Sequence, residues 1–320
     1  MGKVVIAAGG SALARVIIDK LVADDKHDIL ALVRSDINNY PSLPRVTWAQ
    51  TTYEDKAELA ELFRGAIAVL SFVGVLDPEA QLEKRLVDAA VEAGVPRFAP
   101  SEWAMGKNLE TAIVNYSWYA GKLAMREYLR ELNANGKVIE YCLFQPGIFL
   151  EFLSWPHRAN KHIAPLPGHM LIEEHRIIAM EGHMDDEFSL TSVEDIAAVV
   201  AGALDYKGEW PVYGGISGQR LTYHDVQRIG EKVRGKSFQI DLVKKEDLEA
   251  NVIKVDGLRT LEIRAIPKDQ WESFTKIAII GTLLSIHKGG WNVPGTWNEL
   301  LPELKFVQLE ELAQRLWGKQ

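Results

Sequence analysis

The chain has 320 residues, which suits two domains or one large α/β unit with an added lobe. Its 36 Lys and Arg against 44 Asp and Glu leave a net charge of −8, which excludes the basic footprint of a whole-surface nucleic-acid binder. A single cysteine, Cys142, excludes an intrachain disulfide framework and a Cys-based zinc site, and nine Trp, nine Tyr and ten Phe exclude disorder.

The apolar run over residues 4–8 is too short for a signal-peptide core and has the length of a buried strand. Apolar residues at 13, 16, 17, 18 and 21 predict a helix over 12–24. Strands follow over 29–33 and 46–49, a helix over 56–63, and a strand over 67–73. A helix is predicted over 78–92, with Asp77 as its cap and Gly94 past its end. A brief strand over 97–100, a long helix over 112–132 and a sixth strand over 138–144 complete the alternation. This rhythm predicts an α/β fold with a Rossmann-type, doubly wound parallel sheet.

After Pro146-Gly147 the rhythm changes. Residues 151–190 carry three prolines and five of the eight histidines. Helices are predicted over 196–204 and 222–233, and a last one over 300–316. The expected organisation is a cofactor domain over 1–150 and a smaller α+β substrate lobe over 151–320. The apolar-rich stretch over 277–286 falls short of the roughly 20 residues of a membrane span. A cytoplasmic protein without membrane or nucleic-acid partners is the expectation.

Between the first strand and helix lies Ala7-Ala8-Gly9-Gly10-Ser11-Ala12-Leu13-Ala14-Arg15. Such a turn brings backbone N–H groups against a pyrophosphate at a helix N-terminus. The spacing matches neither G-x-G-x-x-G nor G-x-x-G-x-x-G, because Ser11, Ala12 and Ala14 stand where glycines are expected. The turn alone therefore also fits a tight connection with no ligand. Gly9, Gly10, Ser11 and Leu13 are the cofactor-contact candidates here. Arg34-Ser35 follow the second strand. An arginine there favours a ribose 2′-phosphate, where an acid favours a free 2′-hydroxyl. The pair points to NADP(H), with Arg15 as a further cation and Asp36 as counter-evidence.

Four segments, in order, resemble the NmrA-like and isoflavone-reductase-like branch of the atypical short-chain dehydrogenases. They are residues 3–21 with Arg34; Ala68-Val69-Leu70-Ser71-Phe72-Val73-Gly74; Arg97-Phe98-Ala99-Pro100-Ser101-Glu102-Trp103, close to R-F-x-P-S-E-[FW]; and Lys122 followed by Phe144-Gln145-Pro146-Gly147-Ile148-Phe149. The resemblance covers most of residues 1–240 and weakens beyond. It implies a Rossmann-type NADP(H) domain with a smaller substrate lobe. It further implies that Ser71, Phe72 and Val73 line the cofactor, that Pro146, Gly147 and Phe149 approach the nicotinamide, and that Lys122 is the catalytic or ribose-binding lysine.

Lys122 is expected in mid-helix, with Trp118 and Tyr119 before it and Arg126 one turn on. A Y-x-x-x-K spacing would set a phenol and an ammonium on one face, but Trp118 occupies the phenol's position and Tyr119 is one place off. Beside a second cation and apolar rings, Lys122 is a candidate proton shuttle with a lowered pKa; the alternative is a solvated helix lysine. Glu102 is a candidate general acid or base, or a cap. Trp103, Met105, Phe152 and Trp155, with Phe149, suggest walls for an aromatic or polycyclic substrate. His157, His162, His169, His175 and His183 match no metal-binding spacing, so no metal is expected; one of them can still border the cleft. Cys142 reads as a buried strand residue. The leading expectation is an NADP(H)-dependent reductase of an aromatic small molecule with Lys122 assisting. A non-redox cyclase or isomerase, and a dinucleotide-sensing regulator, are the alternatives. A homodimer is left open.

Overall fold

The structure is a computed structural model that describes residues 2–74, 77–113, 116–263 and 266–318. Strands β1 (Lys3–Ala7), β2 (Asp28–Val33), β3 (Val46–Gln50), β4 (Ala66–Ser71), β5 (Arg97–Ala99) and β6 (Glu140–Tyr141) form one parallel sheet in the order 3-2-1-4-5-6. Helices α1 (Ala12–Asp24), α2 (Lys56–Phe63), α3 (Gln81–Glu92), α4 (Leu109–Ala112) and α5 (Ala120–Leu132) connect or flank these strands. The strand order reverses between β1 and β4, where ligands bind in such sheets.

Successive β1 side chains show why both faces are covered. Val4 and Ile6 enter the core that contains α1, whereas Val5 and Ala7 enter the opposite core with α2 and α3. All four are fully buried, so the strand reads as a continuous apolar run.

The second half comprises β7 (Leu143–Gln145), β8 (Ile148–Phe149), β9 (Met170–Leu171), β10 (Arg176–Met180), β11 (Phe188–Thr191), α6 (Val193–Asp205), β12 (Tyr213–Gly215), β13 (Gln219–Leu221), α7 (Tyr223–Arg234), β14 (Gln239–Val243), α8 (Lys245–Glu249), α9 (Trp271–His287), α10 (Thr296–Leu300) and α11 (Leu309–Trp317). Its small sheets run β14-β10-β9 and β13-β11-β8. Helix α6 packs against α1, and Val199, Val200 and Trp297 share the core that Ile6 and Ile17 enter. No helix among the described residues is long and apolar enough to cross a membrane.

Four expected elements differ. The sixth strand divides at Cys142: the Cys142 N–H still donates to the Phe98 carbonyl (3.1 Å), but the next amide turns to Val212 (2.8 Å), so β7 pairs with β12. Helix α3 starts at Gln81, past Pro78, because Asp77 accepts the N–H groups of Glu79 and Gln81 and turns the chain first. The helix expected over 112–132 is broken. Helix α4 ends at Ala112, a 3-10 turn spans Ser117–Tyr119, and α5 starts at Ala120; residues 114 and 115 lie outside the described residues. Lys122 therefore sits in the first turn of α5, not in mid-helix. The closing helix is also divided, since Pro302 cannot continue α10.

Candidate active site

The turn after β1 is fastened by a residue distant in sequence. Buried Tyr53 accepts the Ala8 N–H (2.8 Å) and donates to the Leu32 carbonyl (2.9 Å), which also accepts the Gly9 N–H (2.9 Å). Burial pushes the Tyr53 phenol up to about 12, so it stays protonated and donating. Ala8 is held in the left-handed region at φ 55°. A Cβ on Gly10 would stand 2.5 Å from the Tyr40 hydroxyl, so this glycine lets the turn lie against that ring.

Helix α1 then opens with no side-chain cap and no acid in its first turn, leaving its positive end uncompensated. Ser11 Oγ and Arg15 Nε are buried there without a hydrogen-bond partner among the described residues. A cavity of about 670 Å³ lies at this edge of the sheet, bordered by Gly10, Ser11, Arg34, Ser35, Val73 and Lys122. The Arg34 guanidinium lies 5.6 Å from the Tyr53 ring centroid, and Ser35 bonds Tyr40 (2.7 Å), which stacks on Trp48 at 4.5 Å. Amide donors, an orphaned hydroxyl and an exposed guanidinium make a donor set suited to a phosphorylated dinucleotide.

The other expected cofactor contacts sit elsewhere. Gly9 packs on Ala31, Leu13 and Phe72 lie in the core, and Ser71 is fully buried. Pro146 is buried, while Gly147 and Phe149 border a second cavity. Sequence reasoning missed Tyr40, Tyr53 and Glu83, all of which border the first cavity. Glu83 is buried in the first turn of α3 and accepts the Ser101 N–H at 2.6 Å; burial raises its pKa. No motif marks these three; folding alone brings them to the sheet edge.

Lys122 is 6% exposed, and its Nζ donates to the carbonyls of Ser101 (2.5 Å) and Glu102 (2.6 Å). Burial lowers its pKa, opposed by the attraction of Glu102 and Glu83; Arg126 adds a smaller lowering. Its ammonium lies 4.9 Å from the Tyr119 ring centroid, over the ring. Burial raises the Tyr119 phenol's pKa, so this pair is not the acidified phenol of a Y-x-x-x-K motif.

Glu102, expected as an acid, a base or a cap, is held in a buried ion pair. It is 1% exposed, and both carboxylate oxygens accept from Arg126, at 3.0 and 2.8 Å. Arg126 also donates to the Gly106 carbonyl (3.1 Å), so the pair braces the loop after β5. Trp103 in that loop lies between Phe72 and Phe144, with ring centroids at 4.6 and 5.3 Å, and its Nε1 donates to the Ser71 carbonyl.

The second cavity, about 340 Å³, is walled by Trp118, Tyr119, Phe149, Phe152, Phe274 and Trp291, and Trp103 also borders it. Gly147 is required at its rim: its φ is 70°, and a Cβ would stand 2.5 Å from the Ser189 carbonyl oxygen. Two expected walls are elsewhere. Met105 is core, and Trp155 faces Arg259, 5.7 Å from its ring centroid. Of the five histidines, His169 borders this cavity. His157, His162 and His175 engage Glu173, Asp19 and Arg234 respectively. His183, Asp186 and His287 bring potential ligand atoms within 4.8 Å of one another. Lys245 Nζ stands 3.3 Å from His287 Nε2, so an ammonium already brings positive charge to that cluster.

The NmrA-like family model matches residues 2–282. The chain is 28% identical over 250 residues to the oxidoreductase aprR of Aspergillus flavus, spanning 77% of this chain and 78% of that one. Among solved structures it is similar to AtPrR2 with NADP+ and (+)pinoresinol, at 16% identity, TM-score 0.71, and 98% coverage of each chain. It is also similar to the NADPH-dependent quinone oxidoreductase QOR2 of Escherichia coli complexed with NADPH, at 17% identity, TM-score 0.69, and coverage of 98% of this chain and 100% of that chain. At these identities the likeness is one of fold. With a family model spanning nearly the whole described fold, the chain belongs to the NmrA-like family.

Proposed function

We propose that this protein is an NADP(H)-dependent reductase of an aromatic or polycyclic small molecule. One observation carries the reading: Lys122 borders the polar cavity, and the ring it touches, Tyr119, borders the apolar one. Family membership, oxidoreductase relatives and NADP(H)-bound structural neighbours support it. When bound, NADP(H) supplies or accepts the hydride. Ser11, the amides opening α1, and Arg34 would hold its phosphates. Lys122, its pKa lowered by burial, would hold or pass a proton near Ser101. The aromatic walls would orient the substrate and exclude water.

We assign cofactor binding to residues 1–150 and substrate recognition mainly to 151–320, as a division of function. The decisive experiment incubates the protein with NADPH and a panel of aromatic enones, ketones and quinones, following nicotinamide oxidation and product mass. A product two hydrogens heavier, with matching NADPH loss, is expected. An unchanged mass without NADPH loss would favour a cyclase or isomerase. Partner capture dependent on NADP(H), with no turnover, would favour a regulator.

A further inference from the structure

The apolar cavity is bordered by a buried imidazole that its surroundings leave unused. His169 is 6% exposed and borders the cavity beside Phe152 and Trp291. Its Nε2 is sealed from solvent without a partner, and no hydrogen bond ties the ring to the protein among the described residues. Behind it, edge-on at 5.7 Å between centroids, lies Tyr223, whose buried hydroxyl is also unpartnered. Burial lowers the imidazole to about 4, so it is neutral at physiological pH. A neutral imidazole carries one N–H and one lone-pair nitrogen. A sealed N–H with no acceptor is the costlier orphan, so the proton belongs on Nδ1 and the lone pair on Nε2, the nitrogen sealed from solvent.

Resting on the reading of this cavity as the substrate site, we propose that His169 is a specificity-determining residue that donates Nδ1–H to an oxygen acceptor on the substrate. The ligand class is an aromatic molecule bearing a carbonyl or similar acceptor oxygen. The rest of the wall is largely apolar, so one directed donor discriminates strongly between an oxygenated ligand and its hydrocarbon analogue. The role is positional, since nothing brings His169 to Lys122.

The test uses benzophenone and diphenylmethane, which differ chiefly by one carbonyl oxygen. Both are titrated calorimetrically into the NADP+-loaded protein. Wild type is expected to prefer benzophenone by about 10-fold or more relative to His169→Phe, with His169→Gln retaining part of the preference. NADP+ affinity and melting temperature serve as controls for folding. Equal affinity ratios in wild type and His169→Phe, with both probes binding, would overturn the proposal and leave the cavity reading standing. If His169→Phe does not fold, a wild type that binds both probes equally overturns it just as well. Failure of both probes to bind would overturn the cavity reading and this proposal with it.

Discussion

The two cavities flanking Lys122 and Tyr119 are built by opposite means. The larger offers backbone amides, a hydroxyl and a guanidinium, set by the sheet and by one phenol that fastens a turn. The smaller offers ring faces from a 3-10 turn, β8 and α9, which are distant in the chain. A site built on amides tolerates erosion of side chains: Ser11 and Ala12 replace glycines, yet the open N-terminus of α1 remains. A site built on ring faces has no such tolerance, because each substitution changes its shape. The first cavity is thus suited to a constant ligand and the second to a divergent one.

This contrast can be broken most sharply at the residue between them. Lys122→Ala is expected to lower turnover about 10²–10⁴-fold while leaving NADP(H) affinity within a few fold. Steady-state kinetics beside a calorimetric cofactor titration checks this, and an equal loss in both would make Lys122 merely a cofactor contact. Next, Glu102→Ala would strand the buried Arg126 guanidinium and cost about 3–5 kcal/mol of stability, measured by urea denaturation. Loss of activity at full stability would instead return Glu102 to the chemistry.

A third effect lies within the second half. Glu151 is 5% exposed and accepts the Val193 N–H that opens α6, and burial raises its pKa from 4.5 to about 7. The folded protein therefore binds this proton more tightly than the unfolded chain. The resulting stability is complete below about pH 4.5 and is lost as pH rises through about 7, by on the order of 3 kcal/mol. Asp195, raised to about 6, acts in the same direction. Glu151→Gln should flatten this part of the stability–pH curve; an unchanged slope would place the titration elsewhere. The smallest effect is at Arg34, where Arg34→Ala should cut the preference for NADPH over NADH about 10–100-fold. Equal loss with both cofactors would deny it the 2′-phosphate.

What sequence made legible follows from range. The β1 turn and the segment 97–103 are legible as local residue patterns, although Tyr53 and Arg126, distant in sequence, fasten them. The early stop before α5 does not. Gly121 lets the Asp77 carbonyl pack where a Cβ would collide, Tyr116 turns toward Thr282 and Trp291, and Trp118 toward Phe274, contacts that a helical period cannot announce. Glu102 looked reactive because it follows a strand at the sheet edge; only folding reveals that Arg126, 24 residues on, occupies both its oxygens. The wall from Phe274 to Trp291 was invisible for the same reason, since its apolar residues announce a buried helix but not which space they enclose.

The pairing of β7 with β12 and the packing of α6 on α1 carry a consequence for how this chain can change. Residues 193–215 belong to the second half in sequence but complete the core of the first. A protein cut after residue 150 would expose the apolar face of α1, so the halves are not separable modules. Drift in the second half is accordingly confined: the segments that border the apolar cavity can change without touching the parallel sheet, while the stretch between α6 and β12 is bound to the sheet it covers.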